Sequence, residues 1–123
     1  MHLLNYLKFN SVLKCSKELK NISNSKNEKL RNKLIRVSRD CVINAISEIA
    51  KNCLSGNIPL KDCDFNSLLK YQNLLRQISK KSTIGKRRKL LIQKGGVLQF
   101  LIPPALSLLA TVIGNLIQKK SIK

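Results

Sequence analysis

The chain has 123 residues, with 24 lysines and arginines against 6 aspartates and glutamates, a formal net charge of +18. That length allows one small domain plus a tail. A hydrophobic fraction of 43% excludes a disordered histone-like or protamine-like chain, and the scarce aromatics (Tyr6, Phe9, Phe65, Tyr71 and Phe100) disfavour a single-strand binder that stacks bases.

In chain order, Leu3, Leu7, Val12, Cys15, Leu19 and Ile22 fall at loosely helical spacing, with Lys8, Lys14, Lys17 and Lys20 between them on a solvated face. Asn21 to Asn27 is a polar break, in which Ser25 followed by Glu28 reads as a capping box. The next helix carries Leu30, Leu34, Val37, Cys41, Ala45, Ile49 and Cys53 on one face. Ser38 before Arg39 and Asp40 offers a second N-cap, which would make this two helices meeting near Val37. Ser55-Gly56-Asn57 ends it, with Gly56 suited to the left-handed position after a helix.

Asp62 or Asp64 is expected to cap a following helix with Phe65, Leu68, Leu75 and Ile78 on its core face and Lys80-Lys81 at its C-terminal end. Ser82-Thr83 then caps a short basic helix running to Lys94, stopped by Gly95-Gly96. No segment alternates with period two, so strands are not expected. The fold class expected is all-α: a small bundle of three to four helices, a short basic helix and an apolar C-terminal helix. The chain divides into a basic helical body (1–81), a cationic helix ending in Gly-Gly (82–96), an apolar tail (97–118) and a basic terminus (119–123).

The charge is uneven. Residues 1–64 hold 12 basic and 6 acidic groups, a net +6, whereas residues 65–123 hold 12 basic and none acidic, a net +12. A polyanion neutralises such a density, with nucleic acid the first candidate and an anionic lipid surface the second. The cations marked for the phosphate backbone are Lys80, Lys81, Lys86, Arg87, Arg88, Lys89 and Lys94. Lys86-Arg87-Arg88-Lys89 is also the kind of run that serves nuclear import, or that is merely solvated. On a helix these four cations point around most of the circumference and form no single stripe. Nothing in them reads base edges, so binding is expected to be non-specific.

The tail has three readings: a transmembrane anchor, an interfacial or lytic helix, or a core helix of a bundle or homo-oligomer. Its membrane- or partner-facing residues would be Val97, Leu98, Phe100, Leu101, Ile102, Leu106, Leu109, Ile113, Leu116 and Ile117. Pro103-Pro104 confines the expected helix to Pro104–Gln118, about 22 Å at 1.5 Å per residue, short of the ~30 Å hydrocarbon core. Gly95-Gly96 is either a helix stop or a protease site, because two glycines let an extended backbone enter a narrow tunnel.

The four cysteines, Cys15, Cys41, Cys53 and Cys63, form no C-x-x-C pair, and His2 is the sole histidine. No metal or other cofactor is expected; buried free thiols in a reducing compartment are. The acids are scattered and no glycine-rich phosphate loop occurs, so no enzyme activity is expected.

Asn52 to Leu60, Leu74-Leu75-Arg76-Gln77-Ile78, and above all Leu91-Ile92-Gln93-Lys94-Gly95-Gly96 with an apolar tail behind it carry a resemblance. Over roughly residues 30–117 the chain resembles a family of small basic proteins of Polinton/Maverick elements and adintovirus-like viruses, compared with the small core peptide of adenoviruses. The resemblance implies a DNA-associated virion protein, found in the virion or host nucleus, and a viral cysteine protease cutting at Gly95-Gly96; the apolar tail is expected to engage an anionic membrane or a capsid protein. The sequence departs from the adenoviral pattern in two ways. Gln93 stands where Met, Leu or Ile is preferred, and the cations precede the glycines.

Overall fold

The computed structural model describes residues 12, 14–56, 66, 69–80 and 82–121, the side chains of Leu109 and of residues 111–121 excepted. The fold is an all-α bundle, and no strand occurs among the described residues. Its helices are α1 (Ser16–Asn24), α2 (Glu28–Val37), α3 (Asp40–Leu54), α4 (Gln72–Ser79), α5 (Ile84–Lys94) and α6 (Leu98–Ser121), with a 3-10 turn at Gly95–Val97 between the last two.

α3 is the central helix. Val42, Ile43, Ala45, Ile46, Ile49 and Ala50 are all fully buried, so it is apolar nearly all round, as a helix surrounded by others must be. It packs on α4, α5 and α6, while α1 lies mainly against α6 and α2 mainly against α5. The core gathers Leu19 and Ile22 of α1, Ile35 of α2, Leu75 and Ile78 of α4, Leu91 of α5 and the first half of α6.

The two helices expected to meet near Val37 do so, but Ser38 is no N-cap. Its hydroxyl donates to the Ile35 carbonyl at 2.7 Å and closes the end of α2. Arg39 occupies the N-cap of α3 with no side-chain cap bond. The polar break is also shorter than expected, because α1 runs to Asn24. The capping oxygen of α2 comes from Asn27, whose Oδ1 accepts from the Lys29 N–H at 2.9 Å, rather than from Ser25. Thr83 caps α5 as expected, accepting from the Lys86 N–H at 3.2 Å, and Gly56 takes the left-handed conformation at φ 75°. The expected caps Asp62 and Asp64, with Phe65 and Leu68, lie outside the described residues.

The C-terminal region departs most from expectation. Gly95-Gly96 ends α5 as expected, with Gly95 as its C-cap, but the chain then passes through the 3-10 turn directly into α6, which starts at Leu98 and carries Pro103 and Pro104 inside it. Interior prolines remove amide donors at about 3 kcal/mol each. Leu98, Leu101, Ile102 and Ala105, at i, i+3, i+4 and i+7, are fully buried. Burying each large aliphatic side chain contributes about 1.5–3 kcal/mol, enough to offset the prolines. Pro103 and Gln99 are both exposed, so the carbonyl that Pro103 cannot serve lies on the water side.

Candidate nucleic-acid interface

The run Lys86-Arg87-Arg88-Lys89 splits into two pairs. Lys86 and Lys89, three apart on α5, are exposed, whereas Arg87 and Arg88 turn toward the bundle and are half-buried. Arg88 Nη1 donates to the Ile35 carbonyl at 2.6 Å and to the Ser38 carbonyl and Oγ at 2.9 Å each, and Nη2 donates to Asp40 Oδ1 at 3.1 Å. The last carbonyls of a helix have no intrahelical donor, and a guanidinium with several N–H groups in a fork answers them. Arg88 thereby clamps the α2–α3 corner. Arg87 Nη1 donates to Ser47 Oγ on α3 at 2.8 Å, while its Nε is buried with no partner.

These arginines were expected to face a phosphate backbone, together with the lysines around them. Their guanidiniums are instead committed within the fold, because arginines occupy the inward-facing positions in the first half of α5. Leu91 is its only fully buried side chain among the described residues.

The exposed cations fall elsewhere as well. On α2, Lys29, Lys33 and Arg36 sit at i, i+4 and i+7 and are all exposed, opposite the buried Arg31 and Ile35. α2 packs on α5, so the helix that carries this stripe adjoins the helix that carries Lys86 and Lys89. Among the described acids, Glu18 is held by Arg39 at 2.7 Å and Asp40 by Arg88. The carboxyl of Glu18 is pulled below its ordinary range, first by its own backbone N–H and then by Arg39.

Lys80 and Lys94 are exposed, and Lys81 lies outside the described residues. Lys94 borders a groove of about 440 Å³ between α4 and the Gly95–Val97 turn, lined also by Lys70, Tyr71, Asn73, Gln77 and Gly96. At this end of the bundle Tyr71 stacks on Phe100, with ring centroids 6.4 Å apart. No aromatic pairing was legible in the sequence, since the partners are far apart in the chain.

Gly95 has a packing reason of its own. Arg31 is 8% exposed, and a Cβ at position 95 would stand 3.0 Å from Arg31 Nε, so any larger residue makes that guanidinium shift. Gly96 is open, but it is helical and adjoins the fully buried Val97. A protease that reads an extended Gly95-Gly96 strand must first unwind this turn.

The tail is likewise not a separate element at its start. Val97, Leu98, Leu101 and Ile102, expected to meet a membrane or partner, are fully buried, and Phe100 and Leu106 pack partly buried against the core. Their aliphatic periodicity is satisfied inside the bundle, which corrects the division at residue 97. Leu109, Ile113, Leu116 and Ile117 lie outside the residues whose side chains are described. No helix among the described residues is long and apolar enough to cross a membrane, and no group of His, Cys, Asp and Glu among them has a geometry suited to a metal ion.

Burial pushes the thiols of Cys15 and Cys53 up to about 12, with a hydrogen bond between Cys15 and Cys41 adding to the first. No protein-family model, curated protein or solved structure matches this chain.

Proposed function

We propose that this is a non-enzymatic protein that binds the backbone of double-stranded DNA without sequence preference, through the lysine face shared by α2 and α5. The observation that carries the reading is the sorting of cations. Arg87 and Arg88 are spent on internal hydrogen bonds, whereas Lys29, Lys33, Arg36, Lys86 and Lys89 stand exposed on two neighbouring helices. Flexible lysines suit phosphates as point charges and carry no base code. Lys70 and Lys94 at the groove beside α4 extend the cationic surface.

The resemblance to small basic proteins of Polinton/Maverick elements makes packaging of a viral genome the natural setting, in a virion or host nucleus. The apolar C-terminus would then steady the DNA-binding bundle, and its last turns would be left to meet a capsid protein or a second copy. A membrane role has less to draw on, because the first half of the apolar stretch is occupied by the core.

The test is duplex binding in a salt series with two unrelated sequences. Counterion release predicts a steep linear fall of log K with log salt, equal for both sequences. Salt-insensitive binding, or a preference of more than about tenfold between the sequences, contradicts the reading.

A further inference from the structure

Cys15 and Cys41 are 26 residues apart, yet their sulfurs lie 2.8 Å apart, with the Cys15 thiol donating to Cys41. Both are free thiols; Cys15 is fully buried just before α1, and Cys41 is half-buried in the first turn of α3. A disulfide bond is about 2.05 Å long, so closure needs a shift of less than about 1 Å. The site is also mechanically placed. α1 packs on α6 and α2 and makes little direct contact with α3, so the sulfur pair, with the Glu18–Arg39 ion pair, is where the start of α1 meets the start of the central helix.

We propose that Cys15 and Cys41 form a reversible disulfide that latches the α1–α6 layer onto α3, with a low-molecular-weight disulfide such as oxidised glutathione as oxidant. Cys41 is the entry point, being the more exposed of the two. It loses its proton to water and attacks one sulfur of the oxidant. A Cys41 mixed disulfide forms, and one small thiolate leaves and takes up a proton. Cys15 then loses its proton and attacks the Cys41 sulfur, expelling the second small thiolate. Two protein thiols are oxidised and one small disulfide is reduced to two thiols. Burial holds Cys15 protonated, up to about 12, so this second step is the slow one and quickens as pH rises.

The experiment incubates the full chain with oxidised glutathione, followed by peptide mapping without reductant and a thermal melt. The expected product has lost two hydrogens, carries a Cys15–Cys41 cross-link, and melts roughly 10 °C higher, reversibly with dithiothreitol. In a Cys15→Ser variant the reaction should stop at a glutathione adduct on Cys41. A stable adduct on Cys41 in the wild-type chain, or a cross-link formed with no rise in melting temperature, overturns the proposal.

Discussion

Arg88 reaches back across 48 residues to hold Asp40 at 3.1 Å, and the same guanidinium closes the carbonyl end of α2. Two helix termini therefore depend on one cation from the most basic run in the chain. Asp40 starts α3, where a carboxylate complements the dipole, and Arg88 sits where α2 ends, where a cation does so.

Substitution of the run should separate structure from binding. Arg88→Ala removes a donor from the Ser38 and Ile35 carbonyls and from the Asp40 carboxylate and should cost about 2–4 kcal/mol. Lys86→Ala and Lys89→Ala change exposed side chains and should alter stability by less than about 0.5 kcal/mol. Urea unfolding of the three variants measures this. Equal destabilisation across the run would show that Arg88 is no more structural than its neighbours.

The two glycines should respond in opposite directions. Gly95→Ala drives a methyl against Arg31 and should destabilise by about 1–3 kcal/mol. Gly96→Ala enters open space in a helical turn and should be neutral or stabilising by up to about 1 kcal/mol. Thermal melts of both variants decide it. A costly Gly96→Ala with a harmless Gly95→Ala would reverse the assignment.

Much of this architecture is legible in the sequence. The i, i+3 spacing of Leu75 and Ile78, the Thr83 cap and the left-handed Gly56 all follow from local rules. Three features are not legible, and each depends on a distant partner. Arg88 reads as one of four equivalent cations until α2 ends beside it. Gly95-Gly96 reads as a stop, which it is for α5, but nothing local shows that Arg31 passes beside Gly95. Pro103-Pro104 reads as a helix boundary until burial of Leu98 and Leu101 outweighs the lost amides. The stripe of Lys29, Lys33 and Arg36 has regular helical spacing, yet only the packing of α2 on α5 shows that its helix adjoins the one carrying Lys86 and Lys89.

Truncation after Gly96 should unfold the body rather than release an independent tail. It removes Val97, Leu98, Leu101, Ile102, Ala105 and Leu108 from the core. Losing several buried aliphatic residues at about 2–5 kcal/mol each exceeds the stability of a small domain. Circular dichroism of the truncated chain should show no cooperative melt. A sharp melt like that of the full chain would mean that the tail is dispensable.

The buried thiol of Cys53 sets a pH dependence. Its folded pKa lies above the unfolded one, at about 12 against 9.0. Its contribution to stability is therefore complete below the unfolded value and is lost as pH rises from 9.0 toward about 12, because the unfolded thiol ionises first. Comparing urea midpoints of wild type and Cys53→Ala at about pH 8 and about pH 10 should show the gap narrowing at the higher pH. A gap that widens contradicts the burial of this thiol.

The central claim is that one face, and not net charge alone, holds DNA. The most direct measurement is the salt slope of duplex affinity for two variants of equal charge. One carries Lys29, Lys33, Lys86 and Lys89 changed to Gln; the other carries Lys14, Lys17, Lys20 and Lys51 changed to Gln, all of them exposed. The account predicts that the first set lowers affinity and makes the slope shallower by about 1 per lysine, while the second leaves the slope near wild type. Equal losses from both sets would contradict it.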